Sequence, residues 1–321
     1  MKKHTEARFE DAIEACLLEK HFYEQGISNE FDTEKSLEPQ RVVRFVQTTQ
    51  PKVWSALEKI HGEGTPNLIV DTLAKELNTR GTLKVLRHGF KCYGKKIKMA
   101  FFAPNNNKNE ETWALYKNNI LSVTRQLYYS NLHRNSLDVV LFLNGVPIVT
   151  MELKNELSGQ DVEHAKRQYK HDRDPKELIF EFKKRTLVHF AVDTQLVFMA
   201  TRLNGDKTFF LPFNKGCNHG AGNPESQNDS YKTSYLWEQT LSKDSILDIL
   251  GRFMHLQVEE KRVLTDKGIK KVTKETMIFP RYHQLDAVRS LIKHAYQVGP
   301  GHNYLVEHSA GSGKSNSIAL C

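Results

Sequence analysis

The stretch "SLDVVLFLNGVPIVTMELKN", residues 136–155, sets Asp138, Glu152 and Lys154 into otherwise apolar segments. An unpaired charge among buried strand residues is costly, so the three need partners or a task. Phosphodiester hydrolysis is a task that uses all of them. A divalent metal holds a water and neutralises the charge that develops on the phosphoryl oxygens. Carboxylate oxygens suit Mg²⁺, and a nearby lysine orients the attacking water or stabilises negative charge. A second chemistry-bearing run, "HSAGSGKS", spans residues 308–315. Around Gly311 and Gly313 its backbone N–H groups can wrap phosphate oxygens, Lys314 can reach the β and γ phosphates of ATP, and Ser315 can hold the accompanying Mg²⁺. His308 stands where the full phosphate-loop pattern has glycine. Upstream, in "FPRYHQ", the Gln284 amide can bond both donor and acceptor on an adenine edge, with Arg281 or Tyr282 stacking on the ring.

The elements around these residues decide whether they can act together. Residues 136–155 predict two strands folded over Asn144-Gly145. Glu152 and Lys154 are two apart and share a face. Asp138 depends on the register. A plain two-residue turn pairing Leu143 with Val146 puts Asp138 opposite Met151 and turns Glu152 away. A bulged turn, with Gly145 left-handed and Pro147 at the first strand position, shifts the register by one and sets Asp138 facing Glu152. A metal site therefore predicts a bulged turn. On spacing alone, the same triplet also fits a hairpin whose charges emerge into solvent at the strand end.

The helix expected in "SGQDVEHAKRQYKHDRDP", capped by Ser158 and stopped by Pro175, carries Gln168, Tyr169, Lys170 and Arg173. These can meet a phosphate backbone if the helix packs beside the hairpin, or form a solvated basic face. Upstream, Phe9, Ile13, Cys16 and Leu17 share one helical face, and Val53, Leu57 and Ile60 repeat the spacing. "GISNEFDTEKSLEPQ" reads as loop, "TLKVLRHGF" and "KKIKMAFFA" as a short strand pair, and "PNNNKNEE" as a surface turn. "TLVHFAVD" and "QLVFMATRL" read as strands, and "NGDK" turns into "TFFLPF" as a further hairpin. Residues 214–231 read as a loop, followed by helix in "YLWEQTLSKDSILDILGRFM". The charged run 261–276 reads as a connector. Beyond it, "FPRYHQLDAVRSLIKHAYQ" predicts a helix and "NYLVEH" a strand entering the phosphate loop.

At 321 residues the chain is long enough for one large domain and part of another. Its net charge of +8 makes polyanions suitable partners without proving them. Cys16, Cys92, Cys217 and Cys321 lie far apart with no CxxC pair, which argues against a disulfide framework or structural zinc and suits a reducing cytoplasm. No signal peptide and no membrane span are expected. With no later ATPase motif after Ser315, the chain is expected to be the N-terminal part of a longer protein.

Together these residues resemble the restriction (R) subunit of type I restriction–modification enzymes. The hairpin looks like that family's PD-(D/E)xK nuclease motif. "LVHFAVDTQLVFMATRL", "FLPFN", "GAGNP" and "YLWE" look like the rest of its N-terminal domain, and "FPRYHQLDAV" with "HSAGSGKS" like the entry to its superfamily 2 helicase motor. The resemblance implies an α/β fold: a PD-(D/E)xK nuclease-like mixed sheet flanked by helices, then the beginning of a RecA-like helicase domain. Expected bounds are 1–260 for the endonuclease domain, 261–276 for the connector and 277–321 for the start of the ATP-binding motor. It implies metal binding by Asp138, Glu152 and the Leu153 carbonyl, and a catalytic Lys154. Gln168 matches the Gln of a Gln-x-x-x-Tyr element, but Asp172 stands where its Tyr would be. Glu10 is the candidate for a first-helix glutamate. Gln284, Arg281, Gly311, Gly313, Lys314 and Ser315 would bind ATP. The implied partners are double-stranded DNA and the methyltransferase (modification) and specificity subunits, with ATP-driven translocation and remote cleavage. Two other readings fit the residues: an ATP-binding translocase whose N-terminal domain is a non-catalytic scaffold, and a stand-alone DNA repair nuclease.

Overall fold

In the computed structural model the described residues are 6–104, 109–155, 159–218, 220–226, 230–265, 268–299, 301–308 and 313. The first helix, α1 (Glu6–His21), buries the expected stripe of Phe9, Ile13, Cys16 and Leu17. The short strand β1 (Glu24–Gln25) and a 3₁₀ turn at Ser28–Glu30 lead into α2 (Pro39–Thr49) and α3 (Pro51–His61). Both helices open on a proline, whose fixed φ suits a first helical turn. In α3, Trp54 and Leu57 turn inward while Ile60, expected beside them, is exposed.

Next come α4 (Thr65–Arg80) and α5 (Thr82–His88). The segment Thr82–His88, expected as a strand, is therefore a helix. Leu83 and Leu86 sit three apart on its buried side, and Gly89 at φ +68° ends it. Only β2 (Phe90–Cys92) and β3 (Lys95–Ile97) pair around Tyr93-Gly94.

The helix α6 (Glu110–Lys117), capped by the Asn109 side chain, precedes the central strands β4 (Leu121–Tyr128), β5 (Ser136–Leu143) and β6 (Val146–Leu153). The helix α7 (Val162–His171) then carries the chain to β7 (Val188–Val192), β8 (Val197–Ala200) and the two-residue β9 (Leu211–Pro212). These strands form one mixed sheet in the order β1-β4-β5-β6-β7-β8-β9. The β6–β7 pair is parallel with α7 as its crossover, and β4, β5 and β6 run antiparallel. Every residue of β6 is buried, as expected where helices cover both faces of a sheet. Val139, Leu141 and Leu143 join the cluster that includes α1 and α2, and Val140 and Phe142 join the cluster that includes α7. The expected mixed α/β architecture is present.

The helical run after the 214–231 loop is broken. The segment Leu236–Thr240 and the segment Ile249–Phe253 are π-helical turns around α8 (Lys243–Asp248). Residues 261–276, expected as a connector, lie within a ribbon of β10 (His255–Thr265) and β11 (Gly268–Ile278), eleven residues each and paired in full. Its charged, β-branched sequence suits a two-stranded ribbon, anchored to the core at its open end by Leu256 and Met277. The helix α9 (Tyr282–Val298) forms as expected. Residues 303–308 do not form the expected strand. Among the described residues no helix is long and apolar enough to cross a membrane.

Candidate active site

The register of β5 on β6 answers the geometric question set by the sequence. Leu143 pairs with Val146, so the turn is the plain two-residue kind, with Asn144 at φ +52° and Gly145 at φ +83°. The shift lies further along. Phe142 pairs with Pro147 but Leu141 pairs with Val149, leaving Ile148 as the extra residue of a bulge. The bulge was expected in the turn and is found in the strand, beside Pro147, which has no N–H to give the ladder. Its effect on register is the one a metal site requires. Val139 faces Met151, and one residue further the same register sets Asp138 against Glu152. Asp138 Oδ2 accepts from the Leu153 N–H at 2.7 Å, which ties the two strand ends together.

The turn itself is held inside the protein. The Asn144 side chain donates to the Met99 carbonyl at 2.8 Å and accepts from the Ile120 N–H at 2.7 Å. A Cβ on Gly145 would lie 2.6 Å from the Glu38 carbonyl oxygen and 2.7 Å from Val42 Cγ2. Glycine therefore serves both the positive φ and the close approach.

Glu152 is fully buried. Its Oε1 accepts from Arg173 Nε at 2.7 Å, while among the described residues Oε2 has no hydrogen-bond partner. Burial and the neighbouring Asp138 push its carboxyl up to about 8, against the pull of Arg173 and Lys154. Lys154, two residues on and 9% exposed, is close enough to act on Glu152 electrostatically.

Glu10, on α1, reaches the same place from across the sheet. Gln126 Nε2 donates to Glu10 Oε1 at 2.9 Å and to Asp138 Oδ1 at 3.4 Å, and Arg125 Nε donates to Glu10 Oε2 at 3.1 Å. Burial and then Asp138 raise the Glu10 carboxyl above the usual carboxylate range. Gln126 sits at φ +47° in a second irregularity of the sheet, unpaired between Arg125–Val139 and Leu127–Leu137. Its amide oxygen accepts from Ser136 Oγ at 2.8 Å, which fixes the amide so that its NH₂ faces the two acids.

The helix α7 is capped by Asp161, whose side chain accepts from the Glu163 and His164 N–H groups; Ser158 lies outside the described residues. Gln168 and Asp172 line an open polar cleft of about 630 Å³ together with Asp138, Arg134, His171 and Arg173. Tyr169 does not face this cleft. It is buried, its hydroxyl is 2.8 Å from Thr150 Oγ1, and that oxygen is 2.8 Å from His189 Nδ1. Arg173 borders the cleft but is 3% exposed and also donates to the Ser136 carbonyl at 2.7 Å. Of the four residues expected to meet phosphate, Tyr169 and Arg173 are structural.

The structure thus gathers Glu10, Asp138, Glu152 and Lys154 at one end of the sheet and puts Gln168 on the wall of the cleft above. Among the described residues no three His, Cys, Asp or Glu side chains already stand as a ready metal cluster. Gln126 lies between Glu10 and Asp138, and Arg173 holds one oxygen of Glu152. The arrangement is an acid pair tied through the Leu153 N–H. The partnerless Glu152 oxygen, the raised Glu152 carboxyl and the hard oxygen donors all fit a small divalent cation. Sequence reading missed Gln126, Arg125 and the inward role of Arg173. The available signal was the buried acid itself, which demands a cation from somewhere.

At the other end, Gln284 is 2% exposed. Its Oε1 accepts from the Arg281 N–H and its Nε2 donates to the Gly313 carbonyl, both at 2.9 Å. Arg281, Gln284 and Gly313 line one cavity of about 260 Å³ with Arg202 and Phe279. Gly311, Lys314 and Ser315 lie outside the described residues.

Residues 8–211 match the family model described as the type I restriction enzyme R protein N terminus. The chain belongs to this family. The matched span contains Glu10, Asp138, Glu152, Lys154 and Gln168. A similar curated protein is the putative type I restriction enzyme MjaVIIIP endonuclease subunit of Methanocaldococcus jannaschii, 26% identical over 212 residues. That match covers 63% of this chain and 18% of the relative, so the chain spans under a fifth of the relative's length.

Proposed function

We propose that this chain supplies the DNA-cutting centre of a type I restriction enzyme, hydrolysing phosphodiesters of double-stranded DNA with Mg²⁺. The observation that carries the reading is the register shift at Ile148, which brings Asp138 and Glu152 to one face with a Glu152 oxygen left unpartnered. Asp138, Glu152 and the Leu153 carbonyl would hold Mg²⁺, which supplies Lewis-acid activation of water and charge neutralisation at phosphorus when bound. Lys154, on the face of Glu152, orients the attacking water or stabilises the developing anion. Glu10, steadied by Arg125 and Gln126, adds negative charge beside Asp138, and Gln168 contacts the substrate from the cleft wall. Arg173 holds Glu152 in place and offsets its charge.

The same reading gives the C-terminal segment an ATP-driven role. Gln284 and Arg281 would contact the nucleotide base, and Gly311, Gly313, Lys314 and Ser315 its phosphates and Mg²⁺. The rest of such a motor would pull duplex DNA toward the cutting centre. Methyltransferase and specificity subunits would supply site recognition. In that assembly, Glu152→Ala and Lys154→Ala should each abolish Mg²⁺-dependent double-strand cleavage while ATP hydrolysis continues at its normal rate. Cleavage that survives both substitutions would assign cutting to another site.

A further inference from the structure

Away from the acids, two concavities share Arg80 and His88. The first, about 210 Å³, is lined by Arg80, Lys84, Arg87, His88, Lys183 and His255 over a floor of Leu83, Leu256 and Met277. No acidic residue lines it. The second, about 440 Å³, adds Lys91 and Lys96 on the β2–β3 hairpin. Its one acid, Glu76, is paired with Arg80 at 2.9 Å. Lys183 pairs with Glu275, and Arg87 donates only to the carbonyls of Leu250 and Met254, at 2.7 and 2.6 Å. Lys84, Lys91 and Lys96 are exposed and make no ion pair among the described residues. The trough shares no lining residue with the cleft beside Asp138. It borders Lys183, ahead of the start of β7, whereas Lys154 follows the end of β6.

The hairpin carries a cost that folding does not explain. Lys91 and Lys96 are directly opposed across β2 and β3, an arrangement in which like charges repel. Lys95 adds a third exposed ammonium on the same three-residue strand. Such a concentration of unpaired cations around a concave surface is suited to a ligand with regularly spaced negative charge.

We propose that this trough is a second binding surface for the DNA backbone, separate from the cutting centre, in which Lys84, Lys91 and Lys96 neutralise successive phosphates. The inference rests on the reading that DNA is the substrate. The trough contributes grip without sequence selectivity, because its groups present charge to phosphates and no shaped array to base edges. Its occupant is committed to duplex DNA by charge complementarity and by the cleavage chemistry of the same chain.

The test measures duplex DNA affinity of the full chain in Mg²⁺-free buffer across a salt series. It compares the unmodified protein, the triple variant Lys84→Ala/Lys91→Ala/Lys96→Ala, and Lys91→Glu. The triple variant should bind roughly ten-fold more weakly at low salt, with the salt slope reduced by about one for each phosphate no longer neutralised. Lys91→Glu should weaken DNA binding while raising the melting temperature, because it replaces a repelling pair with an attracting one. That combination separates a weakened grip on DNA from a damaged fold. Unchanged affinity and slope in both lysine variants would overturn the trough and leave the cutting centre standing. Loss of subunit assembly with unchanged DNA affinity would give this face to an acidic protein partner and also overturn it. Loss of Mg²⁺-dependent cleavage in Glu152→Ala, set beside unchanged DNA affinity in the triple variant, tells failure of the trough from failure of the cutting-centre reading.

Discussion

Arg173 shows how a side chain's role follows from what it is buried with. By sequence it is a basic residue past a basic helix, suited to phosphate. In the fold it turns back under the β5–β6 ends and becomes the counter-ion of Glu152. Above pH 8, where Glu152 is ionised, removing it would leave a buried acid without its cation, a loss of about 3–5 kcal/mol. Arg173→Met should therefore lower the unfolding free energy of the Mg²⁺-free protein at alkaline pH by that amount, read from urea denaturation, and saturating Mg²⁺ should recover part of the loss. No recovery would mean that the Glu152 oxygens are not open to a cation. Nothing in the spacing of Arg173 from Glu152 announces the pair, because the link is made by the chain returning through α7.

His189 gives a residue-scale pH signature opposite in sign to that of the raised acids. Full burial pushes its imidazole down to about 3 from an ordinary value of 6.5. The unfolded chain takes up a proton below pH 6.5 that the folded chain refuses until about pH 3. Stability from the neutral imidazole is then complete above pH 6.5 and is lost progressively as the pH falls toward 3. Between pH 7 and pH 5 the loss should be about 2 kcal/mol. The raised Glu152 carboxyl acts in the opposite direction over the same range, so the His189 part is read by urea denaturation as the difference in pH response between the unmodified protein and His189→Gln, which keeps a partner for Thr150.

At the scale of elements, the hairpin was legible and its defect was not. Apolar runs around Asn144-Gly145 give two strands from sequence alone. A bulge in the turn and a bulge in the strand shift the register equally, so pattern could not choose between them. Pro147 was the available clue, since the ladder is weakest where an N–H is missing. Gly145→Ala should cost on the order of 2–4 kcal/mol, from a strained φ and a clash with the Glu38 backbone, read as a fall in the urea midpoint. The β10–β11 ribbon was hidden for a different reason. Strands are recognised by an apolar face along their length, and the run 258–276 is instead rich in charge. The helix Thr82–His88 was misread because Leu83, Val85 and Leu86 fit either period over so short a run.

At the scale of the whole molecule, a mixed sheet wrapped by helices brings α1, the β4 irregularity, the β5–β6 hairpin and the turn after α7 to one edge. Their sequence separations, from Glu10 to Arg173, explain why the convergence is a property of the fold and not of any segment. The most direct test is the anomalous scattering of Mn²⁺ in crystals of the protein. One ion should appear about 2.1–2.2 Å from carboxylate oxygens of Asp138 and Glu152 and from the Leu153 carbonyl. An ion bound elsewhere, or Asp138 and Glu152 on opposite faces of the sheet with no ion between them, would contradict the account.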